Sequence, residues 1–290
     1  MTALLSPKKE AIKLVNLWRA VNGNEFPIDA GKLALGWSQQ TAPKEPIGDL
    51  LAQDLNGFEG GLFWLPNRNV WALLYREHSN LPGRRNYTIA HEFGHYVLHR
   101  RLQQTFQCSQ DATLGGSGKD IEREADTFAS YLLMPIDDFK AQVAGKHVTL
   151  DVLSDCSKRY GVSMTAVILK WIEFTTDAVV FVKGSEGMLD WWRASESAKR
   201  YSFSALRRGM ELPADSLAAQ PLLAISTADF RAGMEHPGGV WFPALPVREM
   251  VIASDRYDMT ISVLVIDAPA TTRIFEEEPD NDMTTTPPRF

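Results

Sequence analysis

The stretch HEFGH at residues 91–95 has the residue types and spacing of a metal-dependent hydrolase. On an α-helix, residues four apart differ by about 40° in direction and about 6 Å in height, so His91 and His95 can reach one zinc ion. Glu92 lies next to them, close enough to hydrogen-bond a nucleophilic water but angled away from the metal. The pattern therefore predicts a metallopeptidase with Glu92 as general base. A buried structural helix that contains two histidines is the alternative.

Two histidines are not enough, because a catalytic zinc usually has three protein ligands and one position for water. His99 continues the spacing, but it lies about 12 Å along the helix from His91, too far for bonds near 2 Å. We interpret it as an end-of-helix residue or one that supports the ligands. Glu122 is the predicted third ligand. Asp126, four residues later, can accept a hydrogen bond from the far nitrogen of a ligating histidine, whereas Glu124 is turned about 160° away and is expected to face solvent. The alternative, a pair of surface charges, is disfavoured because the same side of the helix carries alanines.

A hydrolytic site of this kind also needs a hydrogen-bond donor for the developing oxyanion. Tyr75, His78 and Tyr131 are candidates, and Arg84 is a further candidate for substrate contact; the sequence does not choose among them. The run NVWALLY, residues 69–75, could pair with an extended substrate as an added strand or could be an ordinary sheet strand.

The neighbouring sequence predicts the elements that position these residues. GLFWLP and NVWALLY, with a short polar turn between them, predict a β-hairpin. A helix is predicted from Tyr87 to Leu102, with Asn86 or Thr88 as its cap. DIEREADTFASYLLMP predicts an amphipathic helix that ends at a proline, and residues 149–174 predict helix, turn, helix with Gly161 in the turn.

Two stretches, RRNYTIAHEFGHYVLH and IEREADTFASYLLMP, together resemble the ImmA/IrrE family of metallopeptidases. The family pattern is an arginine and an aromatic residue before AHExGH, then E-x-x-A-[ND]-x-F-A with LLMP close behind. Arg84 and Tyr87 occupy the first two positions, and Asp126 occupies a position where many members have asparagine. The resemblance covers roughly residues 7–140.

The resemblance implies a gluzincin-like site in which His91, His95 and Glu122 bind zinc, or alternatively manganese, with Glu92 as the base. It also implies a function, because family members cleave helix-turn-helix transcriptional repressors and so switch on stress or mobile-element genes. A different class of function stays open: a metal-containing binding module that sequesters a repressor or antitoxin-like partner without cleaving it.

Helical patterns dominate the sequence up to about residue 176 and short β-rich runs follow, which predicts an α+β protein in several parts. We expect a mostly helical metallopeptidase-like domain with a small sheet over residues 1–140 and a helix-turn-helix-like segment over 141–176. A GAF-like α+β domain over 177–268 is expected from the layout of the IrrE branch, and it could sense a small ligand or dock the partner. Residues 269–290 are acidic, with little apolar content, and are expected to be disordered. The strands predicted in the third part are AVVFVKG, VWFPAL, MVIASDR and ISVLVIDA.

Composition narrows the classes of partner and compartment. A net charge of −6 argues against nucleic acid as the main partner. Direct DNA binding through Lys158, Arg159 and Lys170 is not expected, because nearby acidic residues offset their charge. No apolar run approaches the roughly 20 residues of a membrane-spanning helix, and the N-terminus lacks a signal-peptide core. Cys108 and Cys156 are expected to be free thiols in a reducing cytoplasm.

Overall fold

The computed structural model describes residues 5–55, 58–77, 82–108, 117–201, 203–220, 233–254 and 259–267. Over these ranges the chain forms seven α-helices and two β-sheets, which confirms the predicted α+β class. The helices are α1 Pro7–Asn22, α2 Ala30–Thr41, α3 Pro82–His99, α4 Ser117–Leu133, α5 Ile136–Val143, α6 Leu150–Tyr160 and α7 Met164–Ile172. The strands are β1 Ile47–Gln53, β2 Gly60–Leu65, β3 Val70–Arg76, β4 Thr105–Cys108, β5 Val179–Ser185, β6 Met188–Ala194, β7 Met234–His236, β8 Val247–Ser254 and β9 Met259–Val265.

The backbone contacts divide the chain into two compact units. Among the described residues, the first contains those up to Gln142 together with 156–166, and the second contains 143–155 and those from Val167 to Asp267. The predicted segment 141–176 is thus shared between the two units. The expected domain boundaries stay predictions, and the acidic tail at 269–290 lies outside the described residues.

The sheet of the first unit has the strand order β1-β3-β2-β4. β2 and β3 form the predicted antiparallel hairpin, while β1 pairs with β3 in parallel. Of the two alternatives for NVWALLY, the structure supports the ordinary sheet strand, because β3 pairs on both sides over residues 71–75 and has no free edge there for a substrate strand. β1 and β4, which the sequence reading missed, form the two edges of this sheet.

α3 is the central helix of the first unit. Every residue from 87 to 97 is buried, as expected of a helix covered on all sides rather than on one face. The helix begins five residues before the predicted start, so Asn86 lies within it and does not cap it. The Asn86 side chain instead accepts a hydrogen bond from Ala30 N and donates one to Ile28 O, which joins α3 to the start of α2.

α3 and α4 pack closely because Gly94 has no side chain. A Cβ atom at Gly94 would lie 3.0 Å from Phe128 Cδ1 and 3.3 Å from Ala125 Cα, closer than side chains normally approach. The small residues at this crossing bring the two helix backbones together. Glu122, about one turn before Ala125, is carried next to the histidines of α3 as a result.

The turn between α6 and α7 contains Gly161, as the sequence predicts. Gly161 adopts a positive φ of 59°, which favours glycine, and Ser163 Oγ accepts a hydrogen bond from Ala166 N at the start of α7.

Asp138 on α5 accepts two hydrogen bonds from Arg159 and one from Tyr160. Burial alone would raise the pKa of Asp138, but these hydrogen bonds hold it below its usual value.

The second unit contains an antiparallel sheet with the order β6-β5-β9-β8-β7. Three of the four predicted strands are present as β5, β8 and β9. The prediction for VWFPAL is wrong: these residues form bends, and Trp241 and Phe242 are buried in the core of this unit. The sequence reading missed β6 and β7.

A fully buried carboxylate, Glu249 on β8, joins several parts of the second unit. It accepts hydrogen bonds from two backbone N–H groups of the 3-10 turn Leu217–Ala219, from Trp241 Nε1 at 3.0 Å and from Ser262 Oγ at 2.8 Å. His236 Nε2 lies 2.8 Å from the same carboxylate. One acidic side chain therefore connects two strands, a turn and a loop.

Two further observations concern the sequence expectations. No helix in the described ranges is long and apolar enough to cross a membrane. Cys156 is a free, buried thiol; the side chain of Cys108 lies outside the described part of the structure.

Candidate metal centre

Three donor groups from α3 and α4 converge inside the first unit. His91 Nε2 and His95 Nε2 lie 3.1 Å apart, and each lies 3.3 Å from an oxygen of Glu122. All three side chains are buried. Within the described ranges, this is the only group of three histidine, cysteine or acidic residues whose donor atoms lie within 4.8 Å of one another. The structure thus brings together the three residues that the sequence predicts as metal ligands.

The donor set fits a divalent cation. In a tetrahedral zinc site with bonds of about 2.0–2.1 Å, neighbouring ligand atoms are about 3.3 Å apart. The two Nε2 atoms are 3.1 Å apart, each lies 3.3 Å from a different oxygen of Glu122, and one donor atom from each of the three residues lies within 4.8 Å of the other two. When both imidazoles present the lone pair of Nε2 to the Glu122 carboxylate, the buried groups repel one another. A cation between them removes that repulsion.

Asp126 orients the first histidine. Its Oδ1 lies 2.8 Å from His91 Nδ1, and the hydroxyl of Tyr87 lies 3.4 Å from the same oxygen. Because a carboxylate only accepts hydrogen bonds, the proton of a neutral His91 is assigned to Nδ1. The lone pair of His91 is then on Nε2, which faces Glu122, as a metal ligand requires.

Glu92 is completely buried and lies against the start of β2. A Cβ atom at Gly60 would lie 2.8 Å from Glu92 Oε1 and 2.5 Å from Thr88 Cγ2. The glycine at this position therefore provides the space that the Glu92 carboxylate occupies. Gly60 lies outside the motifs of the sequence analysis, and only the structure shows its contact with Glu92.

Gly60→Ala is expected to reduce catalysis without removing the metal ligands. The added methyl group overlaps the Glu92 carboxylate, and even a displacement of about 1 Å can lower a rate by about 100-fold. The measurement is cleavage rate alongside bound metal per chain. Gly36→Ala is the control, since a Cβ at Gly36 meets nothing within 4 Å. Equal rates for the two variants would contradict the proposed role of this space.

The second histidine has two further contacts. Phe106 of β4 stacks on the His95 ring, with ring centroids 4.7 Å apart, and His99 Nδ1 lies 3.2 Å from His95 Nδ1. The other nitrogen of His99 lies 2.8 Å from Glu124 Oε2. The expectation that Glu124 simply faces solvent is therefore wrong. The expectation considered only the position of Glu124 around α4, whereas the last turn of α3 places His99 next to it.

Burial lowers the pKa of His99 below its usual value, although the Glu124 carboxylate favours the charged form. A neutral ring has one nitrogen that donates and one that accepts a hydrogen bond, so His99 can contact both of its neighbours.

The predicted oxyanion donors are placed differently from one another. Tyr75 is half-buried near the end of β3 and pairs with Gly60, which brings it to the part of the sheet that contacts Glu92. Tyr131 lies about 13 Å along α4 from Glu122 and half a turn around it, and its ring contacts Lys8 of α1. Helix geometry thus separates Tyr131 from the cluster. His78 lies outside the described residues.

Arg84 has a structural contact that the sequence reading missed. Its Nη2 lies 3.4 Å from the buried carboxylate of Glu59, which also lies 3.1 Å from Arg76 Nη1. Glu59 directly precedes β2, so this charge cluster joins the start of α3 to the strand that contacts Glu92. Arg84 was a candidate for substrate contact, whereas the contact observed in the structure is with Glu59. The two residues are far apart in sequence, so no local pattern predicted this pair.

The fold and the site together define a metallopeptidase-type domain: a mostly helical unit with a small sheet and two histidines opposed to a glutamate on a second helix. Residues 50–171 match the family model described as the IrrE N-terminal-like domain, peptidase M78. This match confirms, for residues 50–171, the resemblance to the IrrE-like peptidases that the motifs indicated, and a peptidase of this type implies a divalent metal.

The wider fold also has a solved counterpart. A Mycobacterium tuberculosis transcriptional regulator is similar with a TM-score of 0.57 and 11% sequence identity, over 90% of this chain and 76% of that chain. At this identity the similarity shows the fold alone. No curated protein matches the chain at a significant level.

Proposed function

We propose that this protein is a zinc-dependent endopeptidase that cleaves a helix-turn-helix transcriptional repressor and so derepresses stress or mobile-element genes. Manganese is the alternative metal. The observation that carries the proposal is the buried convergence of His91, His95 and Glu122, next to a buried Glu92 on the same helix. The membership of residues 50–171 in a peptidase family supports the hydrolytic reading.

The proposed mechanism assigns the cation to His91, His95 and Glu122. A divalent cation at this position supplies Lewis acidity, which makes water a nucleophile near neutral pH and stabilises negative charge on the peptide oxygen. Glu92 accepts the proton that the attacking water loses and then donates it to the departing amine. Asp126 holds His91 in the tautomer that ligation needs. Tyr75 is the candidate hydrogen-bond donor to the oxyanion that lies nearest to this part of the sheet.

A protein regulator as substrate is supported by the resemblance to ImmA/IrrE peptidases. Direct DNA binding through α6 and α7 is not part of the proposal, because two of the three basic residues considered there are engaged or buried. Arg159 is hydrogen-bonded to Asp138, and the side chain of Lys170 is 0% exposed. We propose that the second unit is GAF-like and that it senses a small ligand or docks the partner.

The proposal is tested by incubating the purified protein with a candidate helix-turn-helix repressor, sought first among the genes that neighbour its own. We expect mass spectrometry to detect two repressor fragments whose masses sum to the intact chain plus water. A chelator should stop cleavage, and added zinc or manganese should restore it, which also identifies the effective metal. An intact repressor held in a stable, metal-containing complex would instead support the binding-module alternative.

A further inference from the structure

The His95 ring is contacted at both of its nitrogens. Nε2 faces Glu122 and His91, as described above, while Nδ1 lies 3.2 Å from His99 Nδ1. His95 is 0% exposed and His99 is 2% exposed, so this contact is shielded from bulk solvent. The state of His99 therefore decides what His95 can present on its other side.

The hydrogen bonds assign the tautomers of His99 and His95 in order, starting from Glu124. The Glu124 carboxylate only accepts, so the proton of a neutral His99 belongs on Nε2, which lies 2.8 Å from Glu124 Oε2. His99 Nδ1 then carries a lone pair and accepts from His95 Nδ1–H. With its proton on Nδ1, His95 has its lone pair on Nε2.

We propose that Glu124 and His99 are positioning residues for the metal ligand His95. They fix its tautomer and ring direction through a two-step chain, as Asp126 does for His91 through a single contact. Phe106 stacks on one face of the His95 ring, which restricts rotation out of this arrangement. The inference rests on the proposed metal site and adds to it the residues that prepare the second ligand.

Two variants of His99 separate a positioning role from simple packing. In His99→Asn, the side-chain oxygen can take the place of Nδ1 and still accept from His95, whereas His99→Leu fills the buried space without an acceptor. Losing a supporting hydrogen bond to a ligand typically weakens metal binding by about 10–100-fold. We therefore expect that loss for His99→Leu and a few-fold change at most for His99→Asn. A packing role predicts the reverse order, because leucine suits an apolar space better than asparagine does.

The measurement is the dissociation constant for Zn²⁺ of the full chain, by competition with a chromogenic chelator. The visible absorption of the Co²⁺-loaded protein reports the ligand geometry independently of activity. Glu124→Ala should weaken zinc binding as His99→Leu does, while Glu124→Gln, which retains an acceptor, should have a smaller effect. Asp120→Ala is the matched control, because this exposed carboxylate on the same helix pairs with Arg123.

The outcomes distinguish this inference from the proposed function. If the unmodified chain binds neither Zn²⁺ nor Co²⁺, the proposed metal site itself is overturned. If it binds zinc and His99→Leu binds equally well with the same Co²⁺ spectrum, only the positioning role is overturned. Should His99→Leu fail to fold, Glu124→Ala makes the same test, since the Glu124 side chain is 36% exposed and its removal disturbs packing little.

Discussion

Glu92→Gln is expected to leave the protein folded and metal-loaded while repressor cleavage falls by about 10²–10⁴-fold. Glutamine has nearly the same shape as glutamate, so it fits the buried space between α3 and Gly60. It cannot accept a proton from water at neutral pH, and the general-base step is lost. The ligand atoms of His91, His95 and Glu122 are unchanged, which separates the loss of catalysis from a loss of metal.

The test compares single-turnover cleavage rates and bound metal for the native protein and Glu92→Gln. The control is Glu196→Gln, an exposed carboxylate in the second unit that pairs with Lys199, and it should cleave at the native rate. Cleavage at an undiminished rate by metal-loaded Glu92→Gln would remove Glu92 from the role of base. If the variant instead lost its metal, the carboxylate would have to be reassigned to metal binding.

The ligand set could be predicted from sequence because its spacing is set by helix geometry alone. His91 and His95 are four residues apart, as are Glu122 and Asp126, and the i, i+4 relation places each pair on one side of its helix before any tertiary contact forms. The alanines on the same side of the second helix as Glu122 and Asp126 favoured burial of that side. The structure brings these groups together through the crossing at Gly94.

The supporting contacts could not be predicted in the same way, because they depend on where separate segments lie in three dimensions. Glu124 is turned away from Glu122 on α4, and only the position of the last turn of α3 brings it to His99. Glu59 and Arg84 are far apart in sequence, so no local sequence pattern predicts their contact. Likewise, the hairpin at β2 and β3 has a local turn signal, whereas the parallel pairing of β1 with β3 has none.

Glu249→Ala is expected to destabilise the second unit strongly, by about 3–5 kcal/mol of unfolding free energy. Removing one partner from a buried, hydrogen-bonded charge network leaves the remaining groups without compensation. Here the orphaned groups would be the backbone N–H groups of the turn Leu217–Ala219, Trp241 Nε1, the Ser262 hydroxyl and His236. The smaller alanine would also leave a cavity beside the core of this unit.

Denaturant unfolding followed by tryptophan fluorescence measures this effect, since the Trp241 ring donates directly to Glu249. Glu235→Ala on β7 is the matched control: its carboxylate is 70% exposed and lies 3.9 Å from Arg248, so its loss should hardly change the unfolding midpoint. Equal midpoints for the two variants would show that the buried carboxylate contributes nothing. A large shift of the midpoint in Glu249→Ala alone would show that one acidic side chain stabilises β8, β9 and the 3-10 turn together. The loss would then come from the hydrogen bonds of the buried carboxylate and not from lost hydrophobic burial.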